Sequence, residues 1–235
     1  MSQASVSIIV PSYNEEKNIQ NTITEVSKVL VGLTDDYEFV IVNDCSTDRT
    51  GEIITEMAKK NPRVNAYHNP KNLGLGGTYR RGIELAQKEY VMMVPGDNEL
   101  SPDSVRYILG FEGQADLIIP YPENIYFRPY MRQVISLTFT AVLNSISGFQ
   151  IGYYNGPVLV RKKVLSGVSF NTTGFAFQAE ILVQLLRGGF TYLQVPFKLN
   201  YTSTRLVAFK PKNVISVCKT ILRLYVNFRL KSKKA

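Results

Sequence analysis

The sequence is short of the residues that most often announce chemistry. Its 235 residues include two cysteines, Cys45 and Cys218, and a single histidine, His68. That count excludes a four-ligand Cys/His zinc site, and two distant cysteines make no disulfide framework. No window offers the ~20 consecutive apolar residues that a membrane-spanning helix needs. The opening "MSQASVSIIVPSYNEE" has neither a basic n-region nor a long apolar stretch, so no secretory signal is expected and the chain reads as cytosolic and reduced. A Lys/Arg-rich arm interleaved with aromatics is also missing, which sets nucleic acid aside as a partner. No repeat, low-complexity tract or linker divides the chain, so one domain over 1–235 is expected.

What is present begins with charge. Lysine and arginine outnumber acids 27 to 19, a formal net charge of +8. Such an excess suits phosphorylated small molecules or an acidic membrane surface. It is densest at the C-terminus, where "KSKKA" follows Arg223 and Arg229.

Short apolar runs alternate with helical patterns through the first half. Strands are expected at "VSIIVPS" (6–12), "YEFVIVND" (37–44), "RVNAYHN" (63–69), "YVMMVPGD" (90–97) and "ADLIIPY" (115–121). Helices are expected at 18–31 with Gly32 as C-cap, after "STD" near 50, across "GGTYRRGIELAQKEY", and at 102–110 behind a Ser101 N-cap and Pro102. Four β–α units of this kind predict an α/β fold with a mostly parallel, doubly wound sheet. Ligands of such sheets bind beyond the carboxyl ends of the strands. Tyr13-Asn14-Glu15, Asp44, Asn72 to Gly77 and Asp97 to Glu99 all fall there.

The second half differs. From Gln133 to Val160 there is no charged residue. Helices are expected at 132–147, 178–187 and 211–230, with strand-like runs in "YYNGPVLV" and "FTYLQVPF".

Three segments carry chemistry. Asp97 and Glu99, in D-x-E spacing after a strand, suit one hard divalent cation shared with substrate phosphates, Mg²⁺ or Mn²⁺; on the triplet alone, helix-cap decoration by Asn98, Glu99 and Ser101 is the better account. Asp44 in "VNDCSTDRTGE" is placed to accept hydrogen bonds from a base edge, with Asp48 or Thr50 capping the helix that follows. "KNLGLGG" has neither dinucleotide-site spacing nor a Walker lysine, yet its glycines let backbone approach a phosphate at a helix start. His68 reads as a strand-edge residue without a role.

In this order, "SIIVPSYNEEKNI", "VIVNDCSTDRTGEI", "NLGLGGTYRRGIELA" and the acidic triplet of "MMVPGDNELSP" resemble family 2 glycosyltransferases of the GT-A fold. Within that family they are most similar to the polyprenyl-phosphate branch of dolichyl-phosphate mannose synthases, over residues 5 to 200. The resemblance implies a nucleotide-binding half (1–121) and an acceptor half (122–235). It places Pro11, Tyr13 and Glu15 around the nucleoside, Asp44 on the base, Gly76 and Arg80 near the nucleotide, and Asp97 and Glu99 on the metal. Gln178 and Glu180 would stand on the acceptor side, with Arg205 and Lys210 of "STRLVAFKPK" gripping phosphate. The family's "D-x-T-S-G-F-R" segment appears here as "GYYNGPV", without its acid or arginine.

The implied reaction is an inverting transfer from a nucleotide-diphosphate sugar to a polyprenyl phosphate. A sugar-hydroxyl acceptor would need a base, for which Glu180 is the candidate. A non-catalytic nucleotide-sugar-binding subunit is the alternative of another class. Arg128 and Arg132, at the start of a strongly apolar helix, suit a lipid phosphate, or are ordinary helix-start residues. In the last helix Lys212, Ser216, Lys219, Thr220, Arg223 and Asn227 share one stripe beside a wide apolar face. That pattern predicts an interfacial helix whose basic side meets anionic lipid, or a terminal helix packed on the domain or on a second subunit.

Overall fold

The computed structural model describes residues 5–97, 100–169, 171–174, 176–198 and 211–230, the last with backbone alone at 211–214 and 229–230. Seven strands form one sheet: β1 (Val6–Ser12), β2 (Tyr37–Asn43), β3 (Val64–His68), β4 (Tyr90–Met93), β5 (Leu117–Pro122), β6 (Leu159–Arg161) and β7 (Tyr192–Phe197). The helices are α1 (Ile19–Val31), α2 (Thr50–Lys60), α3 (Gly74–Leu85), α4 (Pro102–Leu109), α5 (Tyr130–Ser147), α6 (Phe177–Arg187) and α7 (Pro211–Tyr225), which runs into a π turn at Val226–Leu230. Short 3₁₀ turns at Ile125–Phe127 and Lys162–Gly167 complete the described elements.

Strand order is β3-β2-β1-β4-β6-β5-β7. Every pairing is parallel except those of β6, which runs against both β4 and β5. All seven residues of β1 and of β2 are buried, as expected of parallel strands covered on both faces. Alternation then sorts them into two layers. Ile8, Val10, Phe39 and Ile41 pack toward α1 and α4, while Ile9, Val40 and Val42 pack toward α3 and α6. Pro11 costs no ladder bond to β4, because the register of that pair ends at Ile9.

Two expectations about the second half are narrowed. The strand-like run 153–160 forms a strand only from Leu159. Before it the chain turns tightly, with Val158 N–H donating to Gly156 O at 2.9 Å, and Pro157 has no N–H to offer a ladder. Gly156 must also pass close to Pro120, whose carbonyl oxygen would lie 2.7 Å from a Cβ there. The second concerns α7, which takes the packed arrangement of its two expected ones. Thr220 is buried, Ser216 abuts Gly174 and Arg223 pairs with the buried Glu180, beside Leu224 of the core and Ile221 packed against that core, while Lys219 and Asn227 of the same stripe are exposed. Apolar Ile215, Leu222 and Tyr225 point outward, Leu222 being 63% exposed. The helix α5, with Arg132 as its one charged residue, buries Leu143 and Ile146 but exposes Met131, Ile135, Leu137 and Tyr130, the last by 76%.

Candidate functional site

The loops after β1 and β2 are clasped at the carboxyl edge of the sheet. Asn14 N–H donates to Ser46 Oγ (3.0 Å), and Asn14 Oδ1 accepts from Thr47 N–H (2.9 Å). Glu15 N–H donates to Thr50 Oγ1 (2.8 Å), while Glu16 N–H reaches Asp48 and the Glu16 carboxylate accepts from Arg49 N–H. Burial alone would raise the Asp48 pKa. The Thr50 hydroxyl and the N–H groups of Thr50 and Glu16 outweigh it and hold the carboxyl below its ordinary value. Asp48 also accepts from Thr50 N–H at the mouth of α2; it stands one residue before the cap position, which Arg49 occupies without a side-chain cap. Asn14 and Cys45 hold left-handed backbone (φ 56° and 61°), a conformation uncommon outside glycine and typical of loops shaped for binding.

Asp44 lies between these loops and α3, and it is 4% exposed. Its Oδ1 accepts from Asn69 Nδ2 and Leu73 N–H, both at 2.8 Å, and its Oδ2 from Gly74 N–H at 2.9 Å. The carboxylate thus sits on the positive end of α3 and orders the glycine-rich turn. Since each oxygen accepts about two hydrogen bonds, Oδ2 retains capacity for one more donor. Gly76 serves packing: a Cβ there would fall within contact of the Thr172 carbonyl oxygen, and its N–H donates to Thr173 O at 2.9 Å.

Beyond β4, Gly96 fits tightly between Ile19 and Ser12, each within 3.1 Å of a would-be Cβ, with Glu15 Cγ 3.7 Å away. This brings Glu15 beside the loop that carries Asp97. Ser101 caps α4 by accepting from Ser104 N–H. Asp97 is half-buried at this mouth; Glu99 lies outside the described residues. Among the described residues no three His, Cys, Asp or Glu side chains gather into a metal cluster. The donors that do stand here, Asp97 and Glu15, are carboxylates with no thiolate or imidazole among them. That chemistry fits a hard cation completed by substrate oxygens.

Other predicted residues are placed elsewhere. Tyr13 is half-exposed at the β1 mouth, next to the buried Pro11. Arg80 does not reach the mouth; it pairs with Glu84 at 3.0 Å and lines an open hollow with Lys88 and Arg161, beside the first residue of β4 at the opposite end of the sheet. Gln178 is buried and donates to Gly156 O at 2.8 Å, tying α6 to the turn before β6. Glu180, 3% exposed, accepts from Asn171 and Thr172 N–H and from Arg223. These three donors tie Glu180 into the packing of α6, α7 and the 171–172 backbone, and its Oε1, with one donor, keeps capacity for another. Arg128 is buried against Tyr153, both terminal nitrogens lying 3.3 Å from the Tyr153 hydroxyl, and Arg132 is half-buried one helical turn on. Arg205 and Lys210 lie outside the described residues. His68 bridges Asn43 and Thr55 at the end of β3, in keeping with a strand-edge position.

Sequence reasoning missed Asn69 and the 171–174 segment. Asn69 is buried, donates to Asp44 and Thr78, and keeps Oδ1 without a partner. Its only signal is its place one residue after a strand, like that of Asp44.

A mostly parallel α/β sheet that brings Asp44, Glu15, Asp97 and ordered loops to its carboxyl edge has its candidate site where open sheets of this kind bind ligands. Residues 7–144 match the Glycosyl transferase family 2 model, and the chain belongs to that family. It is 28% identical over 229 residues to a "Dolichol-phosphate mannosyltransferase" of Pyrococcus furiosus, covering 93% of this chain and 63% of that one. It is 32% identical over 206 residues to "Glycosyltransferase AglD" of Haloferax volcanii, covering 81% and 32%. The chain therefore spans less than two thirds of either relative. Among solved structures, mannosyl-3-phosphoglycerate synthase from Rubrobacter xylanophilus superposes with a TM-score of 0.76 at 14% identity, covering 98% of this chain and 75% of that one. Glucosyl-3-phosphoglycerate synthase from Mycobacterium tuberculosis, crystallised with Mn²⁺, UDP and phosphoglyceric acid, gives 0.74 at 17%, covering 94% and 78%. These two establish the GT-A fold.

Proposed function

We propose that the chain is an inverting glycosyltransferase that moves a sugar from a nucleotide-diphosphate sugar to a polyprenyl phosphate at the cytoplasmic face of a membrane. The observation that carries the lipid acceptor is the exposed apolar side of α5, Met131, Ile135 and Leu137, beside Arg128 and Arg132. Among the described residues no helix is long and apolar enough to cross a membrane, so contact would be peripheral. The Pyrococcus relative's name supports the same acceptor class.

The nucleoside would lie against Tyr13 and the clasp of Asn14 with Ser46, with the remaining acceptor capacity of Asp44 turned to the base. Asp97, with Glu99 and the donor's own phosphates, would hold Mg²⁺ or Mn²⁺, which supplies charge neutralisation of the departing diphosphate. A lipid phosphate is already anionic, so its oxygen attacks the anomeric carbon as the bond to the nucleoside diphosphate breaks, and no general base is required. Arg128 and Arg132 orient that phosphate. The basic tail and the outward apolar residues of α7 would meet anionic lipid, with a membrane-protein partner or a second copy as competing occupants of that face.

The test is transfer. Labelled UDP- and GDP-sugars are incubated with polyprenyl phosphate in anionic vesicles with Mn²⁺, and labelled lipid is extracted. Labelled lipid formed by the wild-type chain is expected. Failure with lipid phosphate but turnover on a glycan hydroxyl would overturn the acceptor, and binding without turnover on either would leave the non-catalytic subunit.

A further inference from the structure

We infer that Arg223 is a positioning residue for the nucleotide subsite, acting from α7 through Glu180 and the 171–173 segment on the start of α3. The inference rests on reading the Asp44 pocket as that subsite. The contacts run without interruption. Arg223 Nη1 donates to Glu180 Oε1 at 3.1 Å. The other oxygen of Glu180 accepts the N–H groups of Asn171 (3.2 Å) and Thr172 (2.8 Å). The hydroxyls of Thr172 and Thr220 meet at 3.0 Å, both buried, and Gly174 leaves room for Ser216 of α7. Thr173 O in turn accepts Gly76 N–H at 2.9 Å, and Gly74 and Gly76 lack side chains where the 172–173 backbone presses on them. Gly74 and Leu73 then donate to Asp44.

A carboxylate as buried as Glu180 depends on its cation, and a pair of this kind is costly to break from one side. Here the cation comes from a helix whose outer side is apolar and exposed. Whatever seats α7 therefore acts on Glu180, on the 171–173 backbone and on the turn that Asp44 orders. By linkage, nucleotide binding acts on α7 to the same degree.

The test uses the full chain, with UDP and GDP, each with Mn²⁺, as calorimetric probes, and compares Arg223→Met, Arg223→Lys and the double variant Arg223→Met/Glu180→Gln. The double variant leaves no uncompensated charge, so it keeps the fold while cutting the link. Relative to wild type, Arg223→Met and the double variant should bind nucleotide about 3- to 30-fold more weakly, the range for residues that couple sites without touching a ligand. The KM for donor should rise in step while kcat at saturating donor stays within about twofold, and Arg223→Lys should recover most of the affinity. In wild type, nucleotide should slow hydrogen exchange over 217–224, and the double variant should lose that protection. Wild-type affinity in the folded double variant would overturn the inference, as would nucleotide binding that leaves exchange in α7 unchanged. If wild type binds neither UDP nor GDP, the pocket reading itself falls, and this inference with it.

Discussion

Around β1 to β4 polar groups gather where loops meet water and apolar groups fill the two layers of the sheet. Around α5 and α7 the arrangement is mixed: Ser216, Thr220 and Arg223 turn inward beside the core residues Leu143, Ile146 and Leu224, while Leu137, Leu222 and Tyr225 face out. The first region is built as a soluble binding domain is. The second exposes apolar side chains beside buried polar ones, and those polar groups find partners in Glu180 and Thr172. The two regions meet where Thr172 and Thr173 press on Gly74 and Gly76.

The largest effect should come from the mouth of the first region. Asp97→Ala should lower transfer by about 10²- to 10³-fold or more, the cost of losing a preorganised electrostatic group, with the melting temperature unchanged. Activity that survives the change, or survives exhaustive chelation, would detach Asp97 from the chemistry. Next is the seam between the regions. Gly76→Ala forces a methyl group against the Thr172 carbonyl, so unfolding in urea should show a loss of about 1–3 kcal/mol from overpacking, and nucleotide affinity should fall with it. An affinity left intact would show the halves to be independent.

Asp44→Ala takes an acceptor from Asn69, Leu73 and Gly74 and removes the one assigned to the base. Nucleotide binding by calorimetry should weaken by about 1.5–3 kcal/mol, the range for a hydrogen bond to a charged group. The smallest change in stability belongs to Leu222→Glu. An exposed position costs within about 0.5 kcal/mol, yet flotation with anionic vesicles should be lost. Flotation equal to that of wild type would move the lipid contact elsewhere.

The first region was legible because parallel strands buried on both faces read as unbroken apolar runs: "SIIV", "FVIV", "VMMV" and "LIIP" all became strands. The mouth was legible as a set of strand ends, so Asp44, Asn14, Glu15 and Asp97 were gathered correctly on one edge. Their partners were not, because the donors to Asp44 lie 25 to 30 residues away and no periodicity reports a contact of that range. Arg80 was misplaced for a related reason: a helix that begins at the mouth carries its second turn away from it. In α7, spacing showed which residues share a stripe but could not show which stripe meets the protein, and the buried Glu180 on α6 decided that. β6 was nearly invisible, being three residues long and entered through Gly156-Pro157.

That short strand also governs how the chain is assembled on the ribosome. β6 is the only described link between the β3-β2-β1-β4 block and the β5-β7 pair, and it is made some 65 residues after β4 ends at Met93. Until Leu159–Arg161 emerges, β4 has an open edge of four residues, all of which are buried in the finished fold. A nascent chain from which Leu159–Arg161 has not yet emerged thus leaves that edge as a template for unwanted pairing, and pairing with β6 closes it.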